Sequence, residues 1–235
     1  MKIDPSRGEN RLLARLPNST LNRLQRHFKP IDLEVGDILY EARGAIEFAY
    51  FPSAGTLSAV VVMRDGNIIE AATIGNEGAA GVPTTSGTKS TSPNRVFCQV
   101  PGAALRIELE VLEREAREDA ALKKLLDAYQ TAFLFQVSQS VACNGLHPLL
   151  KRCCRWLLMT HDRVQGDEIA LTHEILSVML GVRRQGVTEA LQVLKNDGLI
   201  DYGRGQITVT NRQGLEQGSC ECYEAVRGEY ERLLG

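Results

Sequence analysis

The sequence predicts an α+β protein with a β-rich N-terminal half, a long central helix, and a C-terminal unit of short helices followed by a hairpin. Apolar residues between Ile31 and Val100 alternate with a period of two, which is typical of strands. Ile107 to Asn144 contains neither proline nor glycine and is rich in helix-forming residues. From Leu171 to Val209 the period becomes helical, is interrupted at Gly181, and then returns to alternation.

Composition is consistent with this organisation. A chain of 235 residues with 43% hydrophobic and 24% charged residues is typical of two small globular domains in water. The chain starts with a polar stretch, and no apolar run approaches transmembrane length, so we expect a cytoplasmic protein without a membrane partner. The net charge of −2 excludes a globally basic surface, although a local basic patch can still bind phosphates.

The N-terminal half is predicted to begin with helical turns and to continue as short strands. Leu12 to Phe28 contains a break at Pro17-Asn18 and then a helix capped by Ser19 or Thr20. The predicted strands cover residues 31–35, 38–40, 48–51, 57–63, 68–74 and 96–100. Arg64-Asp65-Gly66-Asn67 is a strong hairpin signal between two of them. Residues 1–107 are therefore predicted to form a compact β-roll.

Residues 108–144 are predicted to form a connecting and dimerisation helix that ends at a hinge, Asn144-Gly145. Its apolar residues fall at spacings of 4, 3 and 4, which resembles a heptad stripe: Leu122, Leu126, Tyr129 and Phe133. We interpret this stripe as the interface of a homodimer. The alternative is a helix that packs only within its own subunit.

Residues 145–235 are predicted to form a domain whose centre is two helices joined by a turn at Gly181. Thr172 is the expected N-cap of the first helix, and Gly181 supplies the backbone conformation that ends it. The second helix, from about Arg183 to Asn196, has one apolar side formed by Val187, Ala190, Leu191 and Leu194. The opposite side is polar and consists of Gln185, Glu189 and Gln192, with Thr188 on the flank.

Arginines accompany this polar side. Arg183 and Arg184 lie in the first turn, where a cation opposes the helix dipole, so an external phosphate or a guanine edge explains them better than helix stability does. A glycine-rich turn places Arg204 at the tip of a following hairpin, a wing. Lys195 and Arg212 are also expected to belong to this basic set, which can bind phosphates. The alternative is an ordinary helical hairpin that packs against a sheet.

Leu171 to Val209 resembles the winged helix-turn-helix of the Crp/Fnr family of bacterial transcription regulators. The matching residues are Leu171-Thr172, Gly181, Arg184, Val187, Leu191 and Gly198-Leu199-Ile200. The resemblance implies that Arg184, Gln185, Thr188 and Glu189 lie in the DNA major groove. Several family members carry arginine where Glu189 stands and glutamate where Gln185 stands, so the operator is expected to differ from theirs. The full predicted DNA-binding set is Thr172, His173, Arg183, Arg184, Gln185, Thr188, Glu189, Gln192 and Arg204.

The N-terminal half also resembles this family, whose β-roll is of the cyclic-nucleotide-binding type. Val35-Gly36-Asp37 and Ile74 to Gly78 fall where the turns of that roll are expected. Members that bind cyclic nucleotides carry a Gly-Glu pair and an arginine followed by serine or threonine. Here the order is Glu77-Gly78, and Arg95 precedes valine, which disfavours cyclic AMP. Glu77, Gly78 and Arg95 are the candidate effector-binding residues, with a plain surface arginine as the alternative for Arg95.

The six cysteines are predicted to be buried structural thiols, and no metal or cofactor is expected. They are Cys98, Cys143, Cys153, Cys154, Cys220 and Cys222. No paired C-x-x-C occurs, and adjacent side chains on a helix diverge by about 100°, so Cys153-Cys154 cannot easily share an ion, and Cys220-x-Cys222 faces the same objection. A redox or metal role is the alternative. No cysteine precedes Cys98, so an N-terminal iron–sulfur cluster, found in some Crp/Fnr members, is not supported.

The function predicted from these features is sequence-specific transcription regulation by a homodimer that reads a palindromic operator. The partners implied are double-stranded DNA, a second copy of the chain and RNA polymerase, with an unidentified small-molecule effector. An enzyme is disfavoured because phosphate-loop, G-x-S-x-G and H-E-x-x-H motifs are absent. The alternative is a ligand-binding signalling module whose C-terminal domain docks a protein.

Overall fold

A computed structural model of the chain describes residues 9–82 and 91–234. A short 3-10 turn, Leu13–Arg15, precedes the first helix. The helices are α1 Asn18–Gln25, α2 Leu109–Glu118, α3 Ala120–Leu146, α4 Leu149–His161, α5 His173–Leu180, α6 Arg184–Asn196, α7 Arg212–Gly218 and α8 Cys222–Leu234. Among the described residues, no helix combines the length and apolarity needed to cross a bilayer.

In the described part of the chain, ten strands form three antiparallel sheets. The strands are β1 Lys29–Leu33, β2 Ile38–Tyr40, β3 Phe48–Pro52, β4 Thr56–Val62, β5 Ile68–Ile74, β6 Arg95–Val100, β7 Gly102–Glu108, β8 Glu168–Ala170, β9 Ile200–Gly203 and β10 Gln206–Val209. The N-terminal sheets have the orders β1-β7-β3 and β2-β6-β4-β5, and the C-terminal sheet has the order β8-β10-β9.

The two N-terminal sheets share one core, and this confirms the predicted β-roll. Tyr50 and Ala104 from the first sheet pack in the same buried cluster as Leu57, Ile74 and Cys98 from the second. The β4–β5 hairpin turns where the sequence predicted it, with Gly66 at a φ of 86°. The sequence did not predict β7, because it leads directly into a helix and its Ala and Leu residues are helix formers, nor did it predict the three-residue β8.

The central helix is divided, so the prediction of one continuous helix is wrong. Asp119 has extended backbone angles, φ −120° and ψ 106°, and its carboxylate accepts hydrogen bonds from the amides of Ala121 and Leu122. An aspartate that caps a new helix in this way competes with continuation of the preceding one. Thr20 of α1 also donates a hydrogen bond to Asp119, at 2.6 Å, which fixes the break against α1.

The predicted hinge at Asn144-Gly145 is also wrong, because α3 continues through it to Leu146. The helix ends at His147, which has extended angles, φ −104° and ψ 140°. Pro148 follows, and a residue before proline is disfavoured in the helical region for steric reasons. Proline, and not glycine, therefore sets this boundary.

The proposed dimerisation stripe lies inside the subunit, which corrects its assignment as an interface. Leu122, Leu126 and Tyr129 are at most 3% exposed. The Tyr129 hydroxyl donates to the carbonyl of Ala79 at 2.8 Å, and its ring packs against the half-buried Phe133. The stripe covers the β-roll, as the alternative interpretation held, because a roll open on one side needs an apolar helix against it.

The buried core of the C-terminal half is continuous with that under the N-terminal half, and two helices follow the β9–β10 hairpin. Buried side chains from α4, α5, α6, β10 and α7 meet in this core: Leu157, Leu176, Val187, Leu191, Ile207 and Leu215. The last two helices, α7 and α8, are separated by the residues between Gly218 and Cys222. α8 packs along α3, where Tyr230 donates to Gln136 at 3.0 Å.

The two halves touch along β5 and the turn after it. The Trp156 indole donates to Glu70 at 2.9 Å, and Arg163 forms an ion pair with Glu77 at 2.6 Å. α5 packs on the same strand, where a Cβ on Gly181 would lie 2.6 Å from the Ile69 side chain. Glycine at this position therefore allows both the helix end and the close approach of the two halves.

Candidate nucleic-acid interface

The turn between α5 and α6 has the geometry that the sequence predicted. The Thr172 side chain caps α5 by accepting a hydrogen bond from the amide of Ile175 at 3.2 Å. Gly181 adopts the left-handed conformation, φ 63° and ψ 39°. The amides of Gly181 and Val182 return to the carbonyls of Val178 and Ser177 at 3.1 and 3.0 Å, which is a Schellman motif. The orientation of α6 relative to α5 is thereby fixed.

α6 buries its apolar side and exposes its polar side, as predicted. Val187, Leu191 and Leu194 are at most 1% exposed. The exposed side chains on and before this helix form what we call the outer face: Arg183, Arg184, Gln185, Thr188, Glu189 and Gln192. The helix therefore presents donors and acceptors to solvent along its first two and a half turns, where a duplex could reach them.

Gln185 and Arg184 of the outer face make exposed side-chain contacts within α6 and to α5. Gln185 donates to Glu189 at 2.9 Å, one turn further along. The Arg184 guanidinium lies 3.9 Å from Glu174, and both side chains are about two-thirds exposed, 70% and 67%. An exposed ion pair of this length contributes at most about 1 kcal/mol. These groups can therefore exchange their contacts for contacts with a base edge or a phosphate.

His173 and Tyr202 connect α5, α6 and the wing. His173 Nδ1 lies 3.0 Å from the Thr188 hydroxyl, and its ring packs edge-on against Tyr202 at 5.0 Å. Desolvation, followed by the charge of Arg184, lowers the pKa of His173, so the ring is neutral at pH 7. Tyr202 also donates to Gln192 at 2.9 Å. His173 and Tyr202 thus hold Thr188 and Gln192 of the outer face.

The wing is a tight hairpin with a strained arginine at its tip. Arg204 and Gly205 connect β9 to β10 with φ angles of 52° and 79°, the two positive values that a type I′ turn requires. A positive φ is unusual for arginine. Lys195 of α6 lies 2.5 Å from Asp201 and over the Tyr202 ring, which ties the base of the wing to α6.

Arg212 does not belong to this basic set, which corrects its inclusion. Its guanidinium lies 2.6 Å from Asp162 and 3.0 Å from Glu216, and it also donates to Tyr223 at 2.6 Å. Arg212 is the first residue of α7, and its contact with Asp162 joins α7 to the end of α4. It therefore stabilises the domain away from the outer face.

The three candidate effector residues each have a partner within the protein. Among the described residues, no contact joins Arg95 to Glu77 or Gly78. Glu77 binds Arg163, and its carboxylate also accepts from the amide of Gly75 at 3.1 Å. Gly78 lies directly under the Tyr129 ring, where a Cβ would be 2.5 Å away. Arg95 pairs with Glu41 at 2.7 Å, and both are partly exposed. Glu77 and Gly78 thus both form internal contacts, and their assignment to a ligand stays a prediction.

The cysteines behave in two different ways. Cys98, Cys153 and Cys154 are buried thiols, as predicted, and burial raises the pKa of Cys98 and of Cys153 to about 12. Cys143, Cys220 and Cys222 instead lie with His147 in one group, in which the four potential ligand atoms are within 4.8 Å of one another.

The geometric objection to Cys220 and Cys222 sharing one ion is therefore wrong, while the absence of a metal stays a prediction. Cys220 precedes α8 and is not helical, so the objection from diverging helical side chains does not apply to Cys220 and Cys222. A signal was present in the sequence: Cys143 and His147 are four residues apart, a spacing that places two ligands on one helix face.

Comparisons with known proteins identify the C-terminal domain by sequence and the whole fold by structure. Residues 151–217 match the sequence model of the Crp-like helix-turn-helix domain. No curated protein matches the chain. Among solved structures, FixK2 from Bradyrhizobium japonicum is similar with a TM-score of 0.70 and 19% identity over 82% of this chain and 98% of that one.

Two further structures extend the likeness. A transcriptional regulator of the Crp/Fnr family from Eubacterium rectale has a TM-score of 0.65 and 16% identity over 91% of this chain and 97% of that one. TTHB099, a CRP-family transcriptional regulator from Thermus thermophilus, has a TM-score of 0.66 and 17% identity, covering 81% and 96%. At these identities the likeness concerns the fold. It confirms the predicted α+β architecture with a C-terminal helix-turn-helix.

Proposed function

From a Crp-like helix-turn-helix domain set in a fold shared with Crp/Fnr regulators, we propose that this chain is a sequence-specific, DNA-binding transcription regulator. The observation that carries the proposal is the outer face of α6. Its side chains are exposed and pair with neighbouring side chains at the surface, while the opposite side of the same helix is buried in the domain core. Such a helix can enter the major groove without unpacking the domain.

The outer face contains two kinds of DNA contact in this proposal. Arg184, Gln185 and Glu189 read base edges, since arginine pairs with guanine, glutamine with adenine, and glutamate accepts from the cytosine amino group. Arg183 at the start of α6 and Arg204 at the wing tip bind phosphates, which position the helix without reading sequence. His173 supports Thr188, and Tyr202 supports Gln192, so these contacts are held before DNA arrives.

We further propose a homodimer, with an interface that differs from the stripe first predicted. Leu134 and Val141 of α3 are 65% and 70% exposed, and they are seven residues apart, so they lie on one face of the helix. The small polar Ser138 lies between them and is also exposed. Two such faces related by a two-fold axis would bury these side chains and present two copies of α6 to half-sites about one helical turn apart.

In this proposal the chain divides functionally into a roll ending with β7, the connecting helices α2 and α3, and a DNA-binding domain that begins with α4. The proposal does not include cyclic-nucleotide binding, because Glu77 and Gly78 make the internal contacts described above. A small molecule that modulates the protein would therefore have to bind elsewhere or displace Arg163.

Selection from a pool of random duplexes tests this function directly. The purified chain is incubated with the pool at near-physiological salt and with competitor DNA, and the retained duplexes are sequenced. We expect a two-fold symmetric consensus whose affinity exceeds that for random DNA by at least about 10³-fold. Retention without sequence enrichment would contradict sequence-specific binding, and a lack of salt-dependent DNA binding would instead favour docking of a protein by the C-terminal domain.

A further inference from the structure

Four potential metal ligands converge where α3 ends and α8 begins. We call Cys143, His147, Cys220 and Cys222 the Cys3His cluster. The three cysteines are at most 2% exposed and form a buried group of their own. The Cys143 and Cys220 sulfurs are 3.6 Å apart, and the Cys222 sulfur lies 3.4 Å from His147 Nδ1.

These distances suit the edges of one tetrahedral metal site. Zinc binds cysteine sulfur at about 2.3 Å and histidine nitrogen at about 2.0–2.1 Å, which gives tetrahedral S–S edges of about 3.8 Å and S–N edges of about 3.6 Å. The Cys143–Cys220 and Cys222–His147 distances thus lie within a few tenths of an ångström of these edges, and the other ligand pairs are at most 4.8 Å apart. An iron–sulfur cluster would distribute its protein ligands over two or more irons, which needs a wider spacing between the ligands of different irons.

The groups around the cluster also point to a bound metal. His147 Nε2 lies 3.2 Å from the carboxylate of Glu221, so its other nitrogen, Nδ1, faces the sulfurs. A carboxylate on the outer nitrogen is the usual support of a metal-binding histidine. Gln139 donates its amide N–H to the Cys222 sulfur at 3.1 Å, a contact suited to a thiolate.

The charge of a loaded site would be balanced within the protein. Three thiolates, a neutral imidazole and a divalent ion carry a net charge of −1. Arg155 of α4 is 7% exposed, its charge acts on Cys143, and its Nε has no hydrogen-bond partner among the described residues. A buried guanidinium needs counter-charge, and the cluster with its metal would add to that of the nearby Glu70.

We propose that the Cys3His cluster binds a single zinc ion. All four ligands are protein groups, so the site is closed and structural, and binding would release a proton from each thiol that is protonated beforehand. The ion would link the C-terminal end of α3, which contributes Cys143 and His147, to the segment that enters α8, which contributes Cys220 and Cys222. It would therefore clamp the DNA-binding domain to the central helix at their junction.

The test is the zinc content of the full chain, purified under reducing conditions from zinc-supplemented medium and gel-filtered to remove loosely bound metal. We expect one zinc per chain, retained by Cys98→Ser, a matched control at a buried thiol outside the cluster, and lost in Cys222→Ser. Cobalt(II) in place of zinc should give the visible absorption of a tetrahedral thiolate complex. A chain that takes up no zinc on titration, or that holds a Cys143–Cys220 disulfide under these conditions, would overturn the proposal.

A second variant covers the case in which Cys222→Ser does not fold. Glu221 is exposed, so Glu221→Gln should leave the fold intact while removing the charge that supports His147. Loss of such support typically weakens metal binding 10- to 100-fold, so we expect a zinc affinity at least about 10-fold lower in competition with a chelating dye. Unchanged affinity would overturn the assignment of His147 as a ligand. None of these readouts depends on DNA binding, so the outcome is separate from that of the proposed function.

Discussion

The Arg163 guanidinium lies 2.6 Å from the Glu77 carboxylate, and this ion pair joins the segment after α4 to the turn after β5. Arg163 is 6% exposed and Glu77 is 15% exposed at the side chain, so the pair is largely removed from water. Burial alone would raise the pKa of Glu77, but the charge and hydrogen bonds of Arg163 outweigh it and lower that pKa below its ordinary value. The turn that resembles an effector site thus connects the two halves.

Glu77→Gln is expected to destabilise the protein by about 3 kcal/mol, because it leaves the Arg163 charge buried without its counter-ion. Urea unfolding at pH 7 measures the change. Glu41→Gln, which removes the partly exposed partner of Arg95, is the control and should cost less than about 1 kcal/mol. Because the pKa of Glu77 is lowered on folding, its contribution should disappear as the pH falls through that pKa, below about 4.5. Equal effects of the two substitutions would contradict a buried ion pair.

Glu70 should make the contact between the two halves sensitive to pH. Desolvation raises its pKa to about 7, although hydrogen bonds from Ser58 and Trp156 and the charges of Arg155 and Arg163 act in the opposite direction. Between about pH 4.5 and 7 the folded state therefore holds the proton more tightly than the unfolded state, so its contribution to stability declines as the pH rises through this window.

The expected decline is on the order of 2 kcal/mol. Glu70→Gln, which cannot ionise but can still accept from Trp156, should abolish it. The measurement is the difference in unfolding free energy between wild type and variant at pH 5 and at pH 8. Histidine titration cancels in this difference. A difference that does not change with pH would contradict the raised pKa.

Arg204→Asn should separate stability from DNA binding. Asparagine tolerates positive φ better than arginine, so the variant should be more stable by about 1 kcal/mol in thermal unfolding. It should bind all duplexes more weakly, with a shallower salt dependence, because a phosphate contact is lost. Arg43 also has a positive φ, 64°, and lies exposed in the N-terminal half, so Arg43→Asn is a matched control. If both variants bind DNA like the wild type, the wing tip does not contact DNA.

Leu134→Glu and Val141→Glu should convert a dimer to a monomer without unfolding the subunit, because both side chains are exposed in the single chain. Light scattering after gel filtration gives the mass, and circular dichroism checks the fold. Val35→Glu introduces the same charge at a residue that is 54% exposed outside α3, and it should leave the dimer intact. A wild-type chain that is monomeric at micromolar concentration would rule out this interface.

The sequence predicted elements well where a local pattern determined them. Thr172, Gly181 and the apolar side of α6 carry their signals within a few residues, so the helix-turn-helix and its outer face were predictable. Asp119 was not recognised as a cap because a single aspartate inside a helix-forming run depends on Thr20, far away in sequence, for its role.

The remaining errors have a common cause, which is that they concern contacts between distant segments. The stripe around Tyr129 would be apolar whether it formed a dimer interface or packed within the subunit. Only the position of the β-roll determines that it is covered within the subunit. In the same way, Glu77 could not be assigned to Arg163, and Cys143 could not be placed beside Cys220, from spacing along the chain. Local chemistry predicts which residues can act, and the tertiary fold determines which of them meet.

The most direct measurement is the affinity of Arg184→Ala for the selected operator duplex, by fluorescence anisotropy at near-physiological salt. Arg117→Ala, at an exposed residue of α2, is the control. We expect Arg184→Ala to bind about 10- to 100-fold more weakly, with relaxed preference at one base pair in each half-site, while Arg117→Ala binds like the wild type. Equal affinity and equal base preference in wild type and Arg184→Ala would contradict the account that α6 reads the DNA.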